Sequence, residues 1–404
     1  MLCPSGQRLS TNDKGKVTTM AGPLAGFRIV EMAGIGPAPF AATLLADMGA
    51  EVIRVDRREA TDLGLPGREP KFDVLHRGRR SLAVDVKSEA GREVVKRLAG
   101  KADGLIEGFR PGVMERLGLG PDVLLKLNPR LVFGRMTGFG QDGPLAQAAG
   151  HDIDYIALAG VLHAIGRKGE APVPPLNLVG DFGGGGMFLA FGVVCGLLEA
   201  QKSGKGQVVD AAMVDGAAYL MAPMYGLFAQ GAWIDERGVN VLDTGAPWYN
   251  VYETRDGKWL AVGAIEKRFY EELIERLGLT AKDLPKQNDR KRWPELKAHI
   301  AEAIATRTRA EWERAFEGSD ACVAPVLALG EVDKHPHNIA RSTFLKRDGV
   351  LQPGPAPRFS RTKVEMGSPP RPRGADSEAV LSDWGFAEAE VAELMGAGAV
   401  GAAV

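Results

Sequence analysis

The stretch FRIVEMAGIGPAPFAATLLADMGAEVIRVDR, residues 27–57, constrains the fold more than any other part of the chain. Its first residues, Phe27 to Met32, form the short apolar run of a buried strand, and Pro39 to Met48 has helical periodicity that Gly49 can end. Glu51 to Asp56 is a second apolar strand. A strand, a helix and a strand joined by short loops form a βαβ unit, which requires a parallel sheet.

The alternation of strands and helices continues beyond this unit. Ser88 can cap a helix that runs to about Leu98, and Gly104 to Glu107 is the next strand. A helix is predicted from Asp122 to Leu127 and a strand from Leu131 to Met136. The pattern therefore predicts an α/β domain with an open, mostly parallel sheet.

A different pattern begins near residue 225. The segment VYETRDGKWLAVGAI predicts a β-hairpin with Asp256-Gly257 at its turn. Helices are expected at about 267–277 and 291–306, Thr308 to Glu311 has the form of a capping box, and Cys322 to Leu327 can form a strand. This order of elements predicts a second, smaller α+β domain.

A chain of 404 residues is too long for one ordinary core, since domains usually have roughly 100–200 residues. We predict a disordered extension at 1–19, a large α/β domain at 20–224 and a small α+β domain at 225–329. Residues 330–404 are rich in Pro, Arg and Gly and are expected to return onto the large domain. A last amphipathic helix is predicted from Asp383 to Met395.

Composition excludes several classes of protein. Lys and Arg number 50 and Asp and Glu 51, a balance that argues against nucleic acid as the main partner. Cys3, Cys195 and Cys322 lack the spacing of metal ligands and fit a reducing compartment. We expect no apolar run to reach the roughly 18 residues of a membrane span, and the N-terminal residues do not resemble a secretory signal. A cytoplasmic protein with no metal site and no membrane partner is expected.

Basic residues follow several of the predicted strands. Arg57 and Arg58 come after the second strand, and on their own they are more typical of a solvated surface. More cations stand in HRGRRSLAVDVK and FRPGVMER, namely Arg77, Arg79, Arg80, Lys87, Arg110 and Arg116. Open α/β sheets bind ligands at the carboxyl ends of their strands. Several cations at that edge would suit a ligand with several phosphates, such as CoA.

Gly34 and Gly36 match part of a dinucleotide-binding motif. They follow a strand and precede a helix, as in a dinucleotide-binding site. The third glycine of that motif is replaced by Pro39, where a small residue is needed for close packing. We interpret these glycines as shaping a turn and do not expect a nicotinamide cofactor.

His151 and Asp181 each allow a structural and a functional interpretation. A lone histidine is usually structural, and an aspartate before a long helix often caps it. Asp181, however, precedes four glycines, Gly183 to Gly186, which are costly to order. We interpret them as leaving backbone N–H groups open to an oxyanion. A carboxylate base beside such a site suits proton abstraction next to a thioester carbonyl. Glu266, between a strand and a helix of the second domain, either begins that helix or orients a catalytic histidine.

Together these segments resemble the α-methylacyl-CoA racemases, members of the family III CoA-transferase superfamily. The resemblance covers residues 21–395 and rests on the blocks around Arg57, His151 and Asp181, on SGKGQVVDAAMVDG and on SDACVAPVL. It implies that His151 and Asp181 are the catalytic residues and that Glu266 assists the histidine. It also implies contacts with CoA from Arg57, Val84, Asp85, Val86, Lys87, Arg110, Arg116, Gly150, Asp152, Ile153, Asp154 and Tyr155.

The resemblance also implies an architecture. It predicts a large Rossmann-like domain and a smaller one, in an interlocked homodimer whose active site is shared between subunits, so that Glu266 would come from the partner chain. CoA would enter as part of the acyl-CoA substrate, and no separate cofactor is implied. The segment 58–78 looks longer than in typical relatives.

The implied reaction is racemisation at the α-carbon of 2-methyl-branched acyl-CoA thioesters, by proton transfer through an enolate. The sequence leaves open whether the acyl group is a branched fatty acid, a sterol side chain or a 2-arylpropionate. The closest alternative is a family III CoA transferase with Asp181 as the nucleophile. A non-catalytic acyl-CoA-binding protein would need the arginines but not both proton-transfer residues.

Overall fold

The computed structural model describes residues 22–59 and 69–402, together with the backbone of Leu9–Thr11 and Val17–Thr19, which pair antiparallel. Apart from that pair, the predicted extension at 1–19 lies outside the described residues, as do residues 60–68 of the long 58–78 segment.

The chain divides into two compact units. The first consists of Met1–Leu158, Leu176–Leu220 and Ala340–Val404, and the second of Ala159–Pro175 and Met221–Ile339. A continuous large domain at 20–224 was therefore an oversimplification, because residues 159–175 leave the first unit and belong to the second.

The strands and helices are as follows, in chain order. The strands are β1 (Arg28–Met32), β2 (Glu51–Asp56), β3 (Arg79–Val84), β4 (Gly104–Glu107), β5 (Val132–Thr137), β6 (Gln207–Ala212), β7 (Tyr249–Glu253), β8 (Trp259–Gly263), β9 (Val323–Pro325), β10 (Phe344–Arg347), β11 (Val350–Pro353) and β12 (Val400–Gly401). The helices are α1 (Pro37–Asp47), α2 (Glu89–Ala99), α3 (Val113–Arg116), α4 (Pro121–Leu127), α5 (Asp152–Leu158), α6 (Val161–Ala164), α7 (Met187–Ser203), α8 (Met213–Leu220), α9 (Ala222–Ala229), α10 (Lys267–Arg276), α11 (Trp293–Ile304), α12 (Arg309–Phe316), α13 (Pro336–Arg341), α14 (Ser377–Asp383) and α15 (Glu388–Gly396). A π-helical turn, Leu178–Gly186, leads directly into α7.

The first unit is built on a seven-stranded sheet in the order β12-β3-β2-β1-β4-β5-β6. All neighbours are parallel except β12, which runs antiparallel to β3. This confirms the predicted open, mostly parallel sheet. Strands β1 and β4 are neighbours in space but not in sequence, and the crevice at the carboxyl ends of such a pair is where sheets of this kind bind ligands.

Helices cover both faces of this sheet because successive strand residues point to opposite sides. Ile29 packs with residues of α1 and α7, whereas Val30 belongs to a second core with residues of α2, α4, α14 and α15. The segment after residue 340 thus supplies part of the core of the first unit. This three-layer arrangement fixes the loops at the carboxyl ends of the strands.

Most local signals in the sequence have the predicted structure. The hydroxyl of Ser88 accepts the N–H of Gly91 and caps α2, and Thr308 and Glu311 form the predicted capping box of α12. The last helix, predicted from Asp383 to Met395, is present as α15 but begins five residues later, at Glu388. Asp383 is instead the last residue of α14, and Gly385 after it has a φ of 79°, a left-handed conformation that ends a helix.

The second unit contains an antiparallel sheet in the order β9-β8-β7 and the helices α10 to α12. Strands β7 and β8 form the predicted hairpin, and Gly257 at its turn has a φ of 69°. The core of this unit includes Trp248, Trp293 and Trp312, which are nearly or fully buried. The unit has the predicted α+β composition.

One helical segment contradicts the estimate that no apolar run is long enough for a membrane. Leu178–Ser203 has 26 residues and is long and apolar enough to span one by length and composition alone. A buried face of this segment packs against β5 and β6, as in the core helix of a three-layer α/β domain, which satisfies the same criterion.

Candidate active site

Four cations follow strands at the carboxyl edge of the sheet. Arg57 comes after β2, Lys87 after β3 and Arg110 after β4, while Arg116 lies at the end of α3, and all four are exposed. The guanidinium of Arg57 lies 5.9 Å from the ring centroid of Phe109, which follows β4. These side chains have the position and freedom that binding several phosphates requires.

The other arginines considered for a phosphate site form ion pairs within the fold. Arg79 is completely buried in a 2.7 Å ion pair with Glu31, and Arg77 forms a 2.6 Å pair with Asp47. Arg80 pairs with Glu51 and Asp383. The expectation that they converge on a ligand is wrong, because they precede or begin β3 and carboxylates of the fold already neutralise them.

The segment Val84–Lys87 offers little side-chain surface. Val84 is buried, and Val86 packs against the same core. The N–H of Asp85 donates to the carbonyl of Ala399, and Asp85 Oδ1 accepts the N–H of Lys87 at 3.0 Å. Any contact with a ligand would therefore come from the backbone of this segment or from the side chain of Lys87.

His151 stands immediately before α5. Its carbonyl accepts the N–H of Asp154, and Asp154 Oδ2 accepts the N–H of His151 at 2.9 Å. This reciprocal cap holds the backbone of His151 while leaving its imidazole exposed. The N–H groups of Asp152 and Ile153, in the first turn, have no intrahelical partner, and none donates a hydrogen bond within residues 22–59 and 69–402.

Tyr155 fixes the loop that precedes α5. Its hydroxyl donates to the carbonyl of Gly150, and its ring packs edge-on against Phe139 at 4.9 Å. Gly138 must be glycine, because a Cβ there would lie 2.1 Å from the ring of Tyr155. Burial, aided by the charges of Asp181 and Asp154, raises the pKa of Tyr155 to about 12. The phenol therefore stays neutral and positions the loop.

Asp181 is half-buried within the π-helical turn. Burial raises the pKa of its carboxyl, the nearby charge of Asp152 acts in the same direction, and an amide hydrogen bond and His151 oppose the rise. That amide belongs to Asn177, whose Nδ2 donates to Asp181 Oδ2 at 2.9 Å. π-Helical turns are rare and are often found at functional sites.

The glycine turn after β1 borders the same carboxylate. Gly36 has a φ of 69°, which confirms the interpretation of these glycines as a turn. A Cβ at Gly36 would lie only 3.2 Å from Asp181 Oδ2. The carboxyl end of β1 is thus next to Asp181, at the position where the order of strands changes.

A hydrogen bond brings the two predicted catalytic segments together. Asp152 Oδ1 accepts the N–H of Asp181 at 2.7 Å, and the side chain of Asp152 is buried. The side chain of Asp152, expected to contact CoA, is thus turned to the backbone of Asp181. No pattern in the sequence predicts this bond. The bond from Asn177 to Asp181 could have been predicted, because residues four positions apart are neighbours on a helix.

The four glycines after Asp181 do not leave their N–H groups free. In a π-helix the N–H of each residue bonds to a carbonyl five residues earlier, so those of Gly183 to Gly186 are engaged within the turn. A Cβ at Gly184 would lie 2.5 Å from the backbone nitrogen of Ala217, and one at Gly186 would lie 2.7 Å from the carbonyl oxygen of Pro37. These glycines allow α1 and α8 to pack closely, and the expected oxyanion role is wrong.

Glu266 belongs to the second unit, where it stands at the N-cap position of α10. Its side chain is exposed and makes no capping hydrogen bond. Burial raises the pKa of the Cys322 thiol, and the nearby charge of Glu266 acts in the same direction. The carboxylate does not serve as the helix cap that a purely structural interpretation would suggest.

The sequence and fold match known proteins along most of the chain. The model of CoA-transferase family III matches residues 24–377. The chain is 47% identical over 373 residues to the α-methylacyl-CoA racemase of Mus musculus, covering 92% of this chain and 96% of the relative. It is 45% identical to that of Homo sapiens with the same coverage.

The crystal structure of a CAIB/BAIF family protein from Brucella suis shares the fold. Its TM-score is 0.77 at 24% identity, and the match covers 90% of this chain and 100% of that one. The family match and the identity to these relatives both extend over most of the chain. This chain belongs to CoA-transferase family III.

Proposed function

We propose that the protein is an isomerase that racemises the α-carbon of 2-methyl-branched acyl-CoA thioesters. The observation that carries the proposal is the hydrogen bond that joins the segment of His151 to that of Asp181. It holds together the two segments whose side chains we propose to transfer protons, beside the carboxyl end of β1. The relatives that are 45–47% identical to this chain are α-methylacyl-CoA racemases, which agrees with this chemistry.

Racemisation requires a proton to leave one face of the α-carbon and another to return on the opposite face. We propose that His151 removes the proton of one enantiomer and Asp181 that of the other, and that each acts as the acid in the reverse direction. Burial raises the pKa of Asp181 from its ordinary value. This helps the same carboxyl to accept a proton in one direction and to deliver one in the other.

The enolate formed between the two steps needs hydrogen-bond donors for its oxygen. The N–H groups of Asp152 and Ile153, at the beginning of α5, donate to no acceptor among the described residues and are the donors we propose. They stand directly after His151, so the thioester oxygen would lie beside the proton-transfer residue. Removing one donor of this kind typically costs about 10²–10³ in rate.

CoA would lie along the carboxyl edge of the sheet. We assign its phosphates to the exposed cations Arg57, Lys87, Arg110 and Arg116. The backbone from Val84 to Lys87 and from Gly150 to Tyr155 would line the rest of the path. The proposed reaction uses side chains as acids and bases, so we expect it to need no metal, nicotinamide or pyridoxal cofactor, and CoA arrives with the substrate.

We also propose an interlocked homodimer in which Glu266 of the partner subunit orients the imidazole of His151 and stabilises its charged form. The exposed carboxylate of Glu266 is available for this role. The first unit also has an apolar stripe on α7, formed by Met187, Phe191 and Leu198, each about half exposed or more. Exposed apolar stripes of this kind mark protein interfaces.

The cytoplasm is the location we propose, on the basis of the thiols. Cys195 and Cys322 are exposed and form no disulfide within the described part of the chain. Free thiols persist in reducing compartments.

The test is incubation of one enantiomer of a 2-methylacyl-CoA with the protein in D₂O. The α-hydrogen is followed by NMR, and the stereochemistry is determined after hydrolysis of the thioester. We expect deuterium uptake together with loss of optical purity. Absence of exchange, with CoA passing to an added carboxylate, would refute the proposal and identify Asp181 as the nucleophile of a transferase.

A further inference from the structure

The carboxylate of Asp152 is unusual for its burial. The residue is only 6% exposed. Oδ1 accepts the N–H of Asp181 at 2.7 Å, while the buried Oδ2 has no hydrogen-bond partner within the described part of the chain. A buried carboxylate with an unsatisfied oxygen is unfavourable for stability. Such a group in a native fold therefore calls for another explanation.

We propose that Asp152 is a positioning residue, whose buried carboxylate ties the backbone of Asp181 to the helix that begins beside His151. The inference rests on the proposed function and deepens it. The resemblance assigned Asp152 to contacts with CoA, whereas here its side chain acts on the reacting groups through Asp181.

Two hydrogen bonds around the beginning of α5 support this role. One holds the backbone of His151 through Asp154, and the other holds the backbone of Asp181 through Asp152. Both reacting residues are thereby fixed to the same helical turn. A displacement of about 1 Å between reacting groups can cost roughly 10²-fold in rate, so such a tie is valuable for catalysis.

Gly180, the residue before Asp181, leaves room for the hydrogen bond between Asp152 and Asp181. A Cβ at Gly180 would lie 2.5 Å from Asp152 Oδ1, a distance that side chains do not tolerate. Glycine at this position is what allows the carboxylate to approach the N–H of Asp181. A substitution at Gly180 therefore tests the bond without removing either charge.

The charge of Asp152 also acts on Asp181. Titratable groups face Asp181 from α5 and the residue before it, namely His151, Asp152 and Tyr155, and Asn177 faces it from its own turn. Burial and the charge of Asp152 both raise the pKa of Asp181. Proton delivery by Asp181 requires its protonated form with neutral His151. Each unit by which the pKa of the Asp181 carboxyl rises makes its protonated form about tenfold more abundant at neutral pH.

The experiment compares Asp152→Asn, Asp152→Ala and Gly180→Ala with the unchanged protein. Asp210→Asn is the matched control, since Asp210 also accepts a backbone N–H, that of Gln141, in the first unit. The carboxyl of Asp181 is titrated by ¹³C NMR in protein labelled at the aspartate carboxyls, with Asp181→Asn to assign its signal. The same variants are assayed for α-deuterium exchange across pH, and circular dichroism checks their folding.

We expect Asp152→Asn to keep an acceptor for the N–H of Asp181, so kcat falls about tenfold or less. The titration of Asp181 and the acidic limb of kcat/KM both move to lower pH, because a neighbouring negative charge is gone. Asp152→Ala and Gly180→Ala break the tie, and we expect kcat to fall roughly 10²-fold. Asp210→Asn leaves rate and titration unchanged.

An unchanged titration of Asp181 in Asp152→Asn would overturn the inference, as would a Gly180→Ala protein with normal kcat. The NMR titration does not depend on activity. If the unchanged protein fails to exchange the α-proton, the proposed function fails, while the titration still shows whether Asp152 acts on Asp181. If it transfers CoA instead, the acidic limb of that reaction reports the same carboxyl.

Discussion

Arg79, at the beginning of β3, is completely buried against Glu31, whereas Arg57, just after the end of β2, has an exposed side chain. Both belong to the basic clusters that were together expected to suit a ligand with several phosphates. The difference lies in where each residue stands along its strand. Arginines at the beginning of β3 lie among carboxylates of the fold, while residues after the strands enter loops that face the crevice. A cation already paired during folding cannot bind a ligand without leaving a buried charge behind.

The largest expected effect concerns the residues of the crevice that carry the chemistry. We expect His151→Ala and Asp181→Ala each to reduce racemisation roughly 10²–10⁴-fold, because each removes a group that transfers a proton. Both proteins should still bind CoA, as measured by calorimetry. Near-normal rates in both would show that the reacting residues are elsewhere.

Arg79→Met tests the structural role of the buried ion pair between Arg79 and Glu31. It leaves Glu31 buried without its partner, and we expect a loss of about 3–5 kcal/mol in the free energy of unfolding, measured with urea. The double variant Arg79→Met with Glu31→Leu removes both charges and should regain much of that loss. A single variant as stable as the unchanged protein would contradict the structural role assigned to this pair.

Arg57→Ala and Arg58→Ala form a pair of adjacent substitutions. Arg57 is exposed, and we expect its loss to raise KM for the acyl-CoA about tenfold with little change in kcat, as for one hydrogen bond to a charged group. Arg58 Nη1 donates to the carbonyl of Gly398. Its substitution should destabilise the fold by about 1 kcal/mol and leave KM nearly unchanged. If both variants raised KM equally, Arg57 and Arg58 would not differ in their contact with the ligand.

The smallest effect is expected for Arg80→Ala. Arg80 pairs with Glu51 and Asp383, but its side chain is 30% exposed. Partly solvated pairs contribute little, so we expect a change of less than about 1 kcal/mol in unfolding free energy and none in KM. An increase in KM comparable with that of Arg57→Ala would place Arg80 at the ligand after all.

Much of the fold could be predicted because its signals are local. The apolar strands before Gly34 and after Gly49, the cap at Ser88 and the hairpin turn at Gly257 each depend on a few adjacent residues. The break at Gly385 was missed because a glycine inside an apolar pattern does not reveal its backbone conformation. The π-helical turn around Asp181 was missed because its form depends on α1 and α8, which pack against its glycines.

The sequence by itself determined the alternation of strands and helices, the parallel sheet and the identity of His151 and Asp181 as candidates, since each depends on residue type and short-range order. Only the tertiary structure decided which arginines are exposed, what the four glycines do and how Asp152 joins the two reacting segments. Glu31 precedes Arg79 by 48 positions, and Asp152 precedes Asp181 by 29. Contacts at such separations arise from the packing of the sheet and its helices, which no local pattern records.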